Sequence, residues 1–186
     1  ETIIALSGTG IPLIVSERNN PTAQKLSAFW RLMRMALYPR VSALVMQTDG
    51  SAAWARKIVD GTRVYTIPNF VEPPSGQGEN FSLGIPRTGR LITAAGRLTR
   101  QKGFDLLIEA FSRAGGDKAD WSLVILGEGE DRGLLQDLVS RLSLHDRVFL
   151  PGRVPNLEPV LRTSDIFVLS SRYEGFPNVL LEAMAV

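Results

Sequence analysis

The chain has 186 residues, 44% of them hydrophobic and 22% charged, with a formal net charge of +2; that size admits one large domain or two small ones, with ample apolar content for a buried core. So modest a charge gives no electrostatic footprint for nucleic acid; no run of eighteen apolar residues argues for a membrane span, and the N-terminal stretch does not read as a signal peptide. Cysteine is absent and His145 is the only histidine, which excludes disulfides and thiolate metal sites, argues against a His-rich metal site or a Ser-His-Asp triad, and fits a reducing, cytoplasmic setting.

Short apolar runs alternate with helix-period segments, the pattern of an α/β fold. Strands are expected at 2–5, 12–15, 42–46, 64–67, 91–95, 122–126, 147–150 and 166–169. Gly8-Thr9-Gly10 reads as a helix C-cap ahead of a strand. From Arg18 to Thr48 there are five basic residues (Arg18, Lys25, Arg31, Arg34 and Arg40) and no acidic one, interleaved with Phe29, Trp30, Leu32, Met33, Met35, Leu37 and Tyr38. The helix expected over 24–38 therefore either lies on an anionic membrane surface or packs in the ordinary way with a solvated basic edge.

The stretch 71–89 holds Pro73, Pro74, Ser75, Gly76, Gly78, Gly84 and Pro86 with little hydrophobic periodicity, and reads as a linker between regions 1–70 and 90–186. In the second region Phe104, Leu107, Ile108 and Phe111, then Leu134, Leu135, Leu138 and Leu142, follow the spacing of amphipathic helices. His145 ends the second helix in a cap or surface role. The strand and helix alternations after residue 90 suffice for most of a doubly wound nucleotide-binding sheet. The first region opens abruptly and the chain stops at Val186 directly after a helix, as expected of a fragment truncated at both ends.

Three loops carry candidate chemistry. The first, 96–103, follows the strand at 91–95, where strand-to-helix loops of a parallel sheet line the ligand crevice. Its Arg97 and Lys102, with Arg100, can neutralise a diphosphate, Arg through bidentate hydrogen bonds and Lys as a point charge; the alternative is a set of exposed loop cations. The G-x-x-x-x-G-K-[ST] motif is absent, so the loop is not a P-loop. The second, Gly127-Glu128-Gly129-Glu130, has glycines that permit close backbone approach but no third glycine for a dinucleotide fingerprint.

The third spans a loop-to-helix junction, with Glu174 on the loop and Glu182 eight residues on in the helix. Pro177 suits the first helical turn. The amides of Asn178, Val179 and Leu180 have no intrahelical carbonyl and sit at the positive dipole end, where an anion fits. Glu182 is the only ionisable group in a helix of Val, Leu, Ala and Met; buried, it would need hydrogen bonds, which sugar or ribose hydroxyls supply. Otherwise both glutamates are solvated charges. No D-x-D pair stands at a strand end, so a metal is not implied.

Gly96-Arg97-Leu98 with Lys102-Gly103, then Leu126-Gly127-Glu128-Gly129, then Phe149-Leu150-Pro151-Gly152, then 170–178 with Glu182-Ala183-Met184-Ala185, occur in an order and spacing that closely resembles the nucleotide-binding domain of family 4 retaining glycosyltransferases of the GT-B fold, over residues 90–186. Ile14 to Pro21 and Ile67 to Val71 look like the closing part of that family's acceptor domain. The resemblance implies a GT-B type α/β architecture: a nearly complete Rossmann-like C-terminal domain plus the end of the N-terminal Rossmann-like domain. It implies that Arg97 and Lys102 bind the donor diphosphate and that Glu182 bonds the ribose. Glu174 would contact the donor sugar or the reacting centre. Gly127, Gly175, Phe176, Pro177 and Asn178, with the Val179 and Leu180 amides, would surround sugar and phosphate, and the backbone near Phe149 and Leu150 would meet the base.

The activity implied is retaining, metal-independent transfer from a nucleotide sugar, expected to be a UDP-sugar, to a glycan or lipid-linked acceptor in polysaccharide or cell-envelope biosynthesis. The setting would be cytoplasmic, with peripheral contact at the inner membrane face through 24–38. A non-catalytic sugar-nucleotide-binding scaffold and a GT-B epimerase are the alternatives. The chain departs from the family in lacking its upstream Gly-rich strand-loop, its acceptor-side His, and the Gly/Pro turn and strand that follow the last helix.

Overall fold

The computed structural model describes residues 2–24, 26–71, 84, 89–114 and 120–186. All of the expected linker except residues 71, 84 and 89 lies outside the described residues. Close contacts divide the chain into two units: Glu1–Phe70 with Tyr173–Pro177, and Val71–Arg172 with Asn178–Val186.

In the first unit α1 (Thr2–Leu6), β1 (Ile14–Glu17), α2 (Ala28–Leu37), β2 (Ala43–Met46), α3 (Asp49–Ala55) and β3 (Val64–Thr66) alternate. The three strands form a parallel sheet in the order β1-β2-β3, with Ile14 opposite Ala43 and Leu44 opposite Val64. Val41, Leu44, Met46, Ala52, Ala55, Val59 and Val64 make its core. The run at 2–5, expected as a strand, is helical. Ile3 and Leu6 are half-buried three residues apart while Ile4 is exposed, a helical spacing that a short apolar run does not distinguish from a strand's. Gly8, at φ +83, follows that helix, in keeping with the C-cap reading of 8–10. The next strand starts at Ile14 rather than residue 12: the Leu13 amide donates to a side chain, Ser42 Oγ at 3.0 Å, and its carbonyl accepts from both Ser42 N and Ala43 N, at 2.9 and 3.4 Å.

Helix α2 begins later than residue 24 because the Ser27 side chain caps it, accepting from Trp30 N. It is inverted relative to an ordinary surface helix. Arg34 turns inward, bonding Gln24 Oε1 at 2.8 Å and pairing with Glu17 Oε2 at 3.2 Å, with its guanidinium 5.8 and 5.7 Å from the Tyr38 and Trp54 ring centres. Tyr38 donates its hydroxyl to Glu17 Oε2 at 2.6 Å, and burial, reinforced by that carboxylate, pushes its pKa well above the usual phenol value. Phe29, Leu32 and Met35 face outward, 61%, 66% and 56% exposed.

In the second unit β4 (Arg90–Ala95), α4 (Phe104–Ala114), β5 (Trp121–Leu126), α5 (Arg132–Arg141), β6 (Val148–Gly152), α6 (Glu158–Arg162), β7 (Ile166–Phe167) and α7 (Asn178–Ala185) follow in turn. All four strands are parallel, in the order β6-β5-β4-β7. Both sheet faces are covered. Ile108, Phe111, Leu135 and Leu138 pack on Ala94, Leu123 and Ile125, while Val160, with Val179, packs on Leu91, Val124 and Leu126. That is why β5 reads as an apolar run from Leu123 to Leu126, all of them buried. The chain winds outward from β4 to β6 and then returns to β7 on the other side of β4, so the carboxyl end of β4 is the topological switch point where parallel sheets open a ligand crevice.

Beyond the strand ends the ladder continues through loop backbone. Gly96 N donates to Leu126 O at 2.9 Å, Gly127 N to Gly152 O at 2.8 Å and Leu98 N to Glu128 O at 3.0 Å. Gly127, at φ +138, sits where a methyl would overlap the Gly96 carbonyl oxygen. Gly127→Ala is expected to cost about 2–4 kcal/mol through clash and backbone strain, measured by urea unfolding. Gly133→Ala, on α5 with open space around it, should be neutral or stabilising by up to about 1 kcal/mol.

Candidate active site

The loop leaving β4 is anchored by Leu98, which is fully buried, and this fixes its neighbours on the outside. Arg97 is exposed at the carboxyl end of β4. Lys102 ends the short 3-10 turn Arg100–Lys102 and folds back: its Cε and Cδ lie 3.2 and 3.3 Å from where a Cβ on Gly96 would stand. A methyl on Gly96 would press on the lysine stem, which would have to give by a few tenths of an ångström. Arg97 follows Gly96 in the chain and lines a concavity of about 250 Å³ with Gly96, Gly127, Glu128, Arg153 and Val154 among others, while the Lys102 stem lies against Gly96.

The turn is braced by the segment that follows β7. Ser170 Oγ donates to Lys102 O, Arg172 N to Gln101 O and Arg172 Nη1 to Arg100 O, each at 2.8 Å. The same guanidinium forks the Asp105 carboxylate at 2.8 and 2.7 Å. The Arg172 hydrogen bond holds the Asp105 carboxyl below its ordinary value, and Asp105 in turn raises the Arg172 pKa.

The other expected ligands divide between the units. Asn178, Val179 and Leu180 form the first turn of α7, one residue later than the sequence suggested. Glu182, on the same helix, is half-buried rather than sealed, so burial alone does not force a hydrogen-bonding ligand on it. Glu174, Gly175, Phe176 and Pro177 group with the first unit, where a methyl on Gly175 would overlap the Arg18 carbonyl. Phe149 and Leu150 lie on β6: Phe149 packs with the cluster of Leu91, Ala95 and Val124, and the Leu150 carbonyl accepts from Arg132 Nη2 at 2.7 Å. Arg132 also pairs with Glu128 at 2.8 Å.

Residues 77–186 match the family model for glycosyl transferases group 1. The chain belongs to that family. An uncharacterized glycosyltransferase of Methanocaldococcus jannaschii is 42% identical over 185 residues, covering 91% of this chain and 45% of that protein. The lipopolysaccharide core biosynthesis glycosyltransferase LpsE of Rhizobium meliloti is 31% identical over 157 residues, covering 82% and 44%. The chain thus spans less than half the length of these relatives. Among solved structures, Anabaena HepE in complex with UDP superposes with a TM-score of 0.79 at 17% identity over 99% of this chain and 54% of its own. Staphylococcus aureus TarM superposes with 0.76 at 20% identity over 96% and 36%. The likeness is one of fold, the GT-B type.

In this group 1 glycosyltransferase chain the strand-end concavity has one lining cation that the sequence reading passed over, Arg153. The signal was present: Gly152-Arg153 at the end of β6 repeats Gly96-Arg97 at the end of β4. Arg172 and Asp105 were missed because only folding joins residues 67 apart in sequence. With its folded pKa depressed, Asp105 contributes stability at neutral pH that persists down to its unfolded value near pH 4 and is lost as pH falls further. Asp105→Asn is therefore expected to flatten the acid limb of a stability profile taken from about pH 7 to 3, leaving the upper part level.

Proposed function

We propose that this chain is part of a family 4 retaining glycosyltransferase: residues 1–70 close the acceptor-side domain, 71–89 link, and 90–186 bind the nucleotide-sugar donor, a UDP-sugar. The observation that carries this is the Lys102 stem lying across Gly96 beside Arg97, two cations at the switch point of a parallel sheet. HepE was crystallised with UDP and glucose, and pneumococcal GtfA, an O-GlcNAc transferase, with UDP and GlcNAc. A Campylobacter jejuni relative, 38% identical over 108 residues, is named for transfer to a diphospho-undecaprenol saccharide; this supports a lipid-linked or glycan acceptor in envelope polysaccharide biosynthesis.

In the reaction the bond from the anomeric carbon to the β-phosphate oxygen breaks as an oxocarbenium-like centre develops. The acceptor hydroxyl attacks from the same face, forming the new glycosidic bond, and its proton passes to the departing phosphate oxygen. Arg97 and Lys102 neutralise the charge growing on that phosphate, in place of a metal ion. Glu182 bonds the ribose, and Glu174 with the Gly175 to Leu180 segment holds the sugar and phosphate. Phe149, Leu150 and Gly127 border the base and phosphates. Arg97→Ala and Lys102→Ala in the whole protein should each lower turnover of a UDP-sugar by about 10²-fold or more without loss of fold. Unchanged turnover in both would overturn the assignment, and thermal stabilisation by GDP or ADP rather than UDP would overturn the choice of base.

The protein works at the cytoplasmic membrane face, held peripherally by α2. Among the described residues no helix is long and apolar enough to cross a membrane. Instead α2 turns Arg34 inward and leaves Phe29, Leu32 and Met35 outside, beside the exposed Arg31, an apolar stripe with a positive flank. The protein should sediment with phosphatidylglycerol vesicles at low salt and be released by high salt or by Leu32→Ser with Met35→Ser. No sedimentation at low salt removes the membrane role.

A further inference from the structure

The 3-10 turn Arg100–Lys102 is one turn long, and a turn of that kind leaves its carbonyls without partners of their own. Here three consecutive carbonyls, those of Arg100, Gln101 and Lys102, all accept from Ser170 and Arg172. Arg172 supplies two of the three bonds and at the same time forks Asp105, which lies in the first turn of α4. Gly103, in the left-handed region at φ +66, lets Ser170 approach so closely that a methyl there would overlap its carbonyl oxygen. One guanidinium therefore ties the segment after β7, the turn carrying Lys102 and the start of α4 into a single rigid piece.

We propose that Arg172 is a positioning residue for donor binding: it sets the backbone under Lys102 so that the lysine stem lies on Gly96 and the ammonium meets the donor diphosphate. This rests on the reading of Lys102 as a diphosphate ligand. Arginine is the residue suited to the task. Its planar fork bonds both Asp105 oxygens and the Arg100 carbonyl at once, whereas a lysine ammonium at the same place holds the charge without that fixed geometry.

The test is a mutant cycle read as UDP affinity by calorimetry on the whole protein, with melting temperature followed in parallel. Arg172→Ala should weaken UDP by about 10-fold and Arg172→Lys by about 3-fold, because the residues act as one unit with Lys102. In a Lys102→Ala background the same substitutions should weaken UDP by less than about 2-fold further, since the group that Arg172 positions is gone. A residue that merely supports the fold would give the same factor in both backgrounds, and that result overturns the proposal, as does unchanged affinity in both Arg172 variants. Should Arg172→Ala not fold, the Lys variant alone carries the cycle. If Lys102→Ala itself leaves UDP affinity unchanged, the ligand reading falls and takes this proposal with it; a loss at Lys102→Ala with none at Arg172 sinks only the positioning role.

Discussion

The approach of backbone to backbone at the carboxyl ends of β4, β5 and β6 is the constraint on which the second unit depends. Gly96 and Gly127 extend the sheet's hydrogen bonding past the last regular residues of β4 and β5, Gly127 bonding to Gly152 at the end of β6, and the space at Gly127 is taken by a neighbouring carbonyl. Because three loops are stitched this closely, the side chains just beyond each glycine have fixed origins. Arg97 follows Gly96, Glu128 follows Gly127 and Arg153 follows Gly152, so two cations and one carboxylate rim the same shallow concavity. The carboxylate is itself paired with Arg132, which leaves the rim with a positive balance suited to phosphate.

Charges are handled oppositely in the two units. In the second, cations are held at a strand edge by buried anchors such as Leu98 and by bonds to their own backbone, so the charge faces out. In the first, Arg34 is drawn inward, where Glu17, Gln24, Tyr38 and Trp54 compensate it. An inward charge is tolerated only when paired and hydrogen-bonded. The consequence is an inverted helix, with Phe29, Leu32 and Met35 on its outer side.

Much of the fold was legible in particular residues. The apolar runs around Leu91, Leu123 and Val148 read as strands because both faces of their sheet are covered, and the spacing of Phe104, Leu107, Ile108 and Phe111 placed α4. The run at 2–5, expected as a strand, is helical, since so few residues do not separate a period of 2 from one of 3.6. That Arg97 and Lys102 stand on the loop leaving β4 was legible because loop position follows from strand position in a parallel sheet. The lie of Lys102 over Gly96 was not, as it depends on a turn whose geometry is set from beyond β7.

By itself the sequence determined the α/β class, the strands from β2 onward and membership of the glycosyl transferases group 1, because hydrophobic period and motif spacing are local properties. Tertiary structure alone decided which face of α2 is buried, how deeply Glu182 sits, and that Arg172 reaches across to Asp105 and the Arg100 carbonyl. Each of these turns on contacts between segments distant in sequence, and a side chain's burial and bonding partners exist only once those segments have met.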